Sequence, residues 1–290
     1  TFSRAARFLL NYEISEGEFQ LAKNQLMQEL KVQEDRFYDR VRLKFYQELY
    51  HPHRYAPPVT GTGESVQKMT LQDIRETYRD LILSSLGGFI LVGDEEEEQI
   101  KFYHQILSSF GVRDFQSFDM GILPEEKKRT VEIIAPSTQV FVRIGGLGVP
   151  RSHPEFLQYL LISDMIGGGL GSVITRRLRE EEGLTYSPVA NFYSQRQEPG
   201  YFFTAYSTRM ENLDKSLRLM EEIFEELAEK GISHQNFLMS RRYLYGIFLV
   251  REETYAGLAG ILSDGMVFGL EKDYWETQKA EISRLDYEAV

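Results

Sequence analysis

Three stretches of this 290-residue sequence gather side chains of the kind that do chemistry. His51-Pro-His53 offers two imidazoles, but a catalytic zinc needs three protein ligands converging on one point. The proline between the two, and the lack of an adjacent acidic partner, favour an ordinary loop. Gly167-Gly-Gly-Leu-Gly-Ser172 has the glycine density of a phosphate-binding loop. Such loops carry a lysine just after the final glycine, and the dinucleotide version needs a strand immediately before the first; neither condition holds here. A flexible connection ending one helix and starting the next suits it better. The acidic run 95–98 matches the positive end of a helix dipole and a solvated face rather than a metal-binding tract. His104, His153 and His234 are isolated. With no His-Glu-x-x-His, no inverted His-x-x-Glu-His and no Gly-x-Ser-x-Gly, the residues taken alone assemble no complete catalytic site.

The elements that would carry these residues follow from hydrophobic period. Residues 15–50 and 70–83 read as helices, with Leu26, Leu30, Phe37 and Val41 recurring at three- and four-residue spacing. Residues 87–94 read as a short apolar strand, and a helix runs from the acidic run to Phe110. Residues 115–130 are polar, contain Pro124 and a mixed charge cluster, and read as an interdomain linker. Beyond it the pattern restarts: a strand over 138–145, helices over 154–166 and 172–182, strands over 190–195 and 201–207, and an amphipathic helix over 212–230. Leu213, Leu217, Met220, Phe224 and Leu227 form the expected buried stripe of that last helix. Strands and helices mix without regular alternation, which predicts an α+β class with helices on one face of a largely antiparallel sheet.

Composition narrows the classes. Hydrophobic residues at 42% and charged residues at 27% are ordinary for globular chains, and the length allows two domains. A net charge of −11 without a basic block argues against nucleic acid as a partner. The longest apolar runs are too short to span a bilayer. Without cysteine there is no disulfide, thiol nucleophile or thiolate metal site, and the compartment is left undetermined. Residues 1–10 look like an amphipathic helix entered mid-element and lack the apolar core and cleavage site of a signal peptide.

The chain also repeats itself. Ile14-Ser15-Glu16-Gly17-Glu18-Phe19 aligns with Ile232-Ser233-His234-Gln235-Asn236-Phe237 at an offset of 218 (232 − 14), and the register carries on through Leu26 and Leu244, Val32 and Val250, and Phe37 and Tyr255. Val66, Met69 and Thr70 then match Ile282, Leu285 and Asp286 at an offset of 216 (282 − 66). Ser15 opens a capping box with Glu18, Ser233 a weaker one with Asn236, and Thr70 and Asp286 both look like N-caps. A period this long signals domain duplication rather than a solenoid. It predicts two homologous α/β sandwich domains, 1–118 and 119–290, the first lacking its opening half, and a sequence clipped at both ends.

Gly167 to Ser187, with its glycine-rich turn, a helix ending Leu178-Arg179 and then Gly183-Leu-x-Tyr186, closely resembles the insulinase/pitrilysin family of zinc metallopeptidases, in its processing-peptidase-like branch. Val92-Gly-Asp94, residues 63–74 and the duplication fit the same family. The resemblance implies a first domain that binds zinc through His-x-x-Glu-His and a distal glutamate, and a second that holds the substrate backbone with an arginine and a tyrosine. Here these would be Arg179 and Tyr186 for substrate and, for zinc, Glu29, whose histidine partners are absent. A guanidinium and a phenol both donate hydrogen bonds to a peptide carbonyl. The implied function is the C-terminal, substrate-binding part of a zinc-dependent endopeptidase, inactive by itself. Its substrate would be a peptide or unfolded protein added as a strand to a sheet edge, and its catalytic half would lie in the same polypeptide, in a partner chain or in a homo-oligomer. The alternative is a non-catalytic subunit or scaffold working with a catalytic partner.

Overall fold

The computed structural model describes residues 8, 10–83, 88–94, 96–108, 121–123, 125, 127–169, 171–196 and 198–290. Most of the opening segment and the first half of the expected linker lie outside them. The chain separates into two compact units, Thr1–Pro124 and Glu125–Val290.

The first unit is helical among its described residues: α1 (Glu16–Asp35), α2 (Phe37–Tyr50), α3 (Gly63–Lys68), α4 (Leu71–Thr77), a π-helical turn (Tyr78–Leu83) and α5 (Glu97–Leu107). The single helix expected over 15–50 is two. Arg36, at φ −87° and ψ 110°, leaves the helical region and serves as C-cap of α1 and N-cap of α2. The strand expected over 87–94 is also corrected, since residues 88–94 form no ladder. A strand exists through its neighbour's backbone, and no partner strand runs beside this segment among the described residues.

The capping box of α1 forms as read. Ser15 Oγ accepts from the Glu18 N–H at 3.3 Å, and Glu18 accepts from the Ser15 N–H at 3.0 Å, from its hydroxyl, and from the Tyr12 hydroxyl at 2.7 Å. The Ser15 hydroxyl, the Tyr12 hydroxyl and the Ser15 N–H, in that order, hold the Glu18 carboxyl down to about 2 from its ordinary 4.5. A lowered folded-state value favours the fold above the ordinary one, so the box is expected to hold above pH 4.5 and to open as pH falls through about 2. An NMR titration of the Glu18 carboxyl carbon checks this; an apparent value near 4.5 means that the box does not form in solution.

The second unit carries β1 (Gln139–Leu147), α6 (Phe156–Gly167), a π-helix (Thr175–Glu181), β2 (Val189–Tyr193), β3 (Tyr201–Arg209), α7 (Leu213–Lys230), α8 (His234–Glu252), α9 (Tyr255–Phe268) and α10 (Tyr274–Arg284). Its sheet is antiparallel with the order β1-β3-β2. Val142 pairs with Tyr206 and Ala190 with Thr204, so these side chains share one face. On that face Val142, Ala190 and Tyr206 meet Leu219, Met220 and Ile223 of α7 and Leu178 of the π-helix. A second cluster joins Leu161 and Met165 of α6 to Phe237 and Phe248 of α8 and Ile282 of α10. This is a mixed α+β arrangement with a small antiparallel sheet. The stripe of α7 is rotated from expectation: Ser216, Leu219, Met220 and Ile223 are buried, while Leu217 is exposed. The small Ser216 can face inward because its hydroxyl bonds Leu213 O and accepts from Tyr206.

The helix pairs of the two units share spacing and internal contacts. α2 starts at Phe37 and α9 at Tyr255, each with 14 residues. Lys23 donates to Met69 O at 2.8 Å and Arg241 to Leu285 O at 2.7 Å. Lys23 sits 5.5 Å over the Phe19 ring and Arg241 5.3 Å over that of Phe237. Ile14 O accepts from Arg75, and Ile232 O accepts from the Tyr287 hydroxyl. Val66 and Ile282 are both fully buried.

Candidate functional site

The glycine-rich turn after α6 is a packing device. A Cβ on Gly167 would lie 2.5 Å from Ala190 Cβ and 2.8 Å from Ile174 Cδ1, so only glycine lets the end of α6 reach β2. The buried Ser172 hydroxyl donates to Thr175 Oγ1 at 2.9 Å and sets the start of the π-helix. The charged helix expected over 172–182 is therefore a π-helix over 175–181, a rare geometry often found at functional positions.

Two leucines fasten this segment to the core. Leu178 and Leu184 are buried, and the Leu184 N–H donates to Leu178 O at 2.8 Å across the turn that Gly183 makes at φ +61°. Thr208 of β3 donates to Leu184 O at 2.8 Å. Arg179 follows the first leucine by one residue and Tyr186 the second by two, so neither is placed by its own burial. The Arg179 guanidinium stacks over the Tyr186 ring at 4.9 Å, within cation–π range.

The charges around the pair are unequal. Arg176 and Arg177 pair with Glu181, Arg177 also bonds Glu226 at 2.8 Å, and Glu182 is taken by Lys215. Among the described residues Arg179 has no carboxylate partner, although Glu180, Glu181 and Glu182 follow it directly. Tyr186 is 78% exposed, and among the described residues its hydroxyl makes no hydrogen bond. A stacked Arg–Tyr pair whose polar hydrogens are unspent presents donors to an incoming acceptor.

The remaining sequence candidates do not converge. Glu29 is exposed near the middle of α1. Among the described residues no three His, Cys, Asp or Glu side chains are grouped as a metal ion would need, so these residues alone do not make a zinc centre. His53 is buried, with its ring 4.8 Å from that of Tyr55 and its Nδ1 accepting from the Tyr55 N–H at 3.2 Å, while His51 is exposed. No helix among the described residues is long and apolar enough to cross a membrane.

A family profile described as the peptidase M16 inactive domain matches residues 68–244, more than half of the chain. The chain belongs to the peptidase M16 family. This agrees with the resemblance carried by Gly167 to Ser187. Among similar proteins, one of Helicobacter pylori named a non-peptidase homolog, YmxG, is 22% identical over 99% of this chain and 67% of its own length. A Bacillus subtilis protein named an uncharacterized zinc protease, YmxG, is 21% identical over 82% of this chain and 58% of its own. The crystal structure of a peptidase M16 inactive domain from Pseudomonas fluorescens superposes with a TM-score of 0.81 at 22% identity, covering 98% of this chain and 68% of that one. The chain spans roughly half to two-thirds of the length of the curated relatives it matches.

The sequence reading missed Arg151, which lines a cavity against α9 and α10. Two of its ring neighbours, Phe268 and Tyr274, come from more than a hundred positions away, and Gly148-Val-Pro-Arg151 reads locally as a turn.

Proposed function

We propose that this chain is the substrate-holding, non-catalytic portion of an M16 zinc endopeptidase, with Arg179 and Tyr186 donating hydrogen bonds to the backbone of a bound peptide. The stacked pair carries the reading: a guanidinium without a carboxylate partner among the described residues, 4.9 Å over an exposed phenol ring. Tyr186 lies three residues before β2, an edge strand of the sheet, so an extended peptide pairing there would run past both donors. Backbone pairing gives affinity with loose sequence preference, which suits unfolded segments.

Two homologous domains, near 1–118 and 119–290, are part of this proposal. Its support is the recurrence of the Lys23 and Arg241 contacts and of the 14-residue α2 and α9 spans. The histidine ligands of a zinc would then come from residues outside this chain, with Glu29 as the distal glutamate. Zinc, when bound there, would supply the activated water, while the residues of this chain orient the peptide and stabilise charge on its carbonyl oxygen.

Binding of an unstructured peptide to the natural protein, followed by fluorescence anisotropy, tests the assignment. Arg179→Gln is expected to weaken it about tenfold or more, the worth of a charged hydrogen bond. Unchanged affinity in a folded variant would remove Arg179 from the site. A second reading, a non-catalytic subunit, is favoured by the relative named a non-peptidase homolog. Zinc content separates the two: a natural protein that binds peptide without zinc is a binding subunit.

A further inference from the structure

A cavity of about 210 Å³ in the second unit has no role in the reading above. Its apolar wall is Ile261, Leu262 and Met266 of α9 with Leu270 and Trp275, and Arg151 lines it on the polar side. α9 buries none of its residues even though it is apolar along most of its length.

Arg151 is held unusually for a surface cation. Its guanidinium lies 4.0 Å over the Phe156 ring and 5.3 Å and 5.7 Å from those of Tyr274 and Phe268. Such stacking engages the face of the guanidinium and leaves the N–H groups along its edge to find acceptors. They find none among the described residues: Arg151 makes no ion pair, and its Nε is buried without a hydrogen-bond partner. Asp264, a carboxylate that also lines the cavity, is paired with Arg251 at 3.0 Å. Lys272 adds a cation to the rim and Glu271 an anion. Burial lowers the Arg151 pKa, with Asp264 and Tyr274 opposing the shift and Arg251 adding to it. A desolvated guanidinium is an effective receptor for a carboxylate, which it binds through two parallel N–H bonds.

We propose that this cavity binds a carboxylate carried on a short apolar body, with Arg151 gripping the carboxylate and Ile261, Leu262, Met266 and Leu270 enclosing the body. A free branched-chain acid and the C-terminal residue of a peptide ending in leucine present this same chemistry. The site is independent of the Arg179–Tyr186 pair and stands if that pair binds nothing.

The test is calorimetric titration of the whole chain with 4-methylpentanoate, with N-acetyl-Ala-Ala-Leu as the free acid, and with the same peptide as its C-terminal amide. At least one free acid saturates one site, and the amide binds about tenfold more weakly or not at all. Arg151→Gln, shown folded by circular dichroism, loses binding to the same degree. Saturation by 4-methylpentanoate only assigns the site to a free acid, and saturation by the peptide only assigns it to a chain terminus. Equal binding of acid and amide overturns the proposal, as does failure of both acids to saturate at millimolar concentration. Because the acid and amide are compared on the unmodified chain, a misfolded variant cannot decide the result.

Discussion

Tyr186→Phe in the natural protein is expected to slow cleavage of an unstructured peptide about a hundred- to a thousandfold while its zinc content stays the same. That is the usual effect of removing one hydrogen-bond donor aimed at a carbonyl oxygen as negative charge grows on it, about 2.7–4 kcal/mol. The substitution is clean for a structural reason. Tyr186 is 78% exposed and its hydroxyl bonds nothing among the described residues, so the fold loses no contact. The phenylalanine ring keeps a face for Arg179 to stack on, which preserves the position of the guanidinium. Steady-state kinetics with a quenched fluorescent peptide, read beside metal analysis, give the answer. A rate within a factor of two or so of the parent's would take Tyr186 out of the reaction. Loss of zinc would mean that the substitution acts on assembly instead.

Gly145→Ala is expected to destabilise the second unit by about 3 kcal/mol or more, while Gly146→Ala, one residue on, changes stability by less than about 1 kcal/mol. The two glycines stand side by side in β1 and project to opposite faces. A Cβ on Gly145 would lie 2.8 Å from Phe203 Cα and closer still to the Phe202 carbonyl oxygen, so the backbone of β3 would have to move. A Cβ on Gly146 meets nothing within 4 Å. Strand β3 is the centre of the sheet and also supplies Thr208, which holds Leu184 and through it the turn before Tyr186. Urea denaturation of the two variants and the parent gives the comparison, and equal stabilities would show that β1 and β3 do not approach this closely. Peptide binding should fall with stability in the first variant and persist in the second.

Much of this was legible before any coordinates. Local chemistry was the most readable: Ser15 with Glu18, Ser233 with Asn236, and Thr70 as an N-cap were each legible, and each cap forms. The family came from the glycine turn and the Leu-Arg to Gly-Leu-x-Tyr spacing. Features decided by distant neighbours were not readable. Residues 88–94 have the composition of a strand, yet no partner strand runs beside them among the described residues. The rotation of α7 depends on Ser216 finding Tyr206 on β3, and a serine in a stripe of leucines reads as solvent-facing. The π-helix over 175–181 has no periodic signature of its own. Arg151 reads as a turn residue because its cage of Phe156, Phe268 and Tyr274 exists only after folding.

The two helix pairs make matching contacts. At the position that ties the first helix to the carbonyl ahead of the next cap, one pair has Lys23 and the other Arg241; the carbonyl belongs to Met69 in one and to Leu285 in the other. The aromatic beneath the cation is phenylalanine in both, Phe19 and Phe237. In both pairs the bond runs to a backbone carbonyl, so it requires the reach of the cation and not the side chain of the residue that carries the carbonyl.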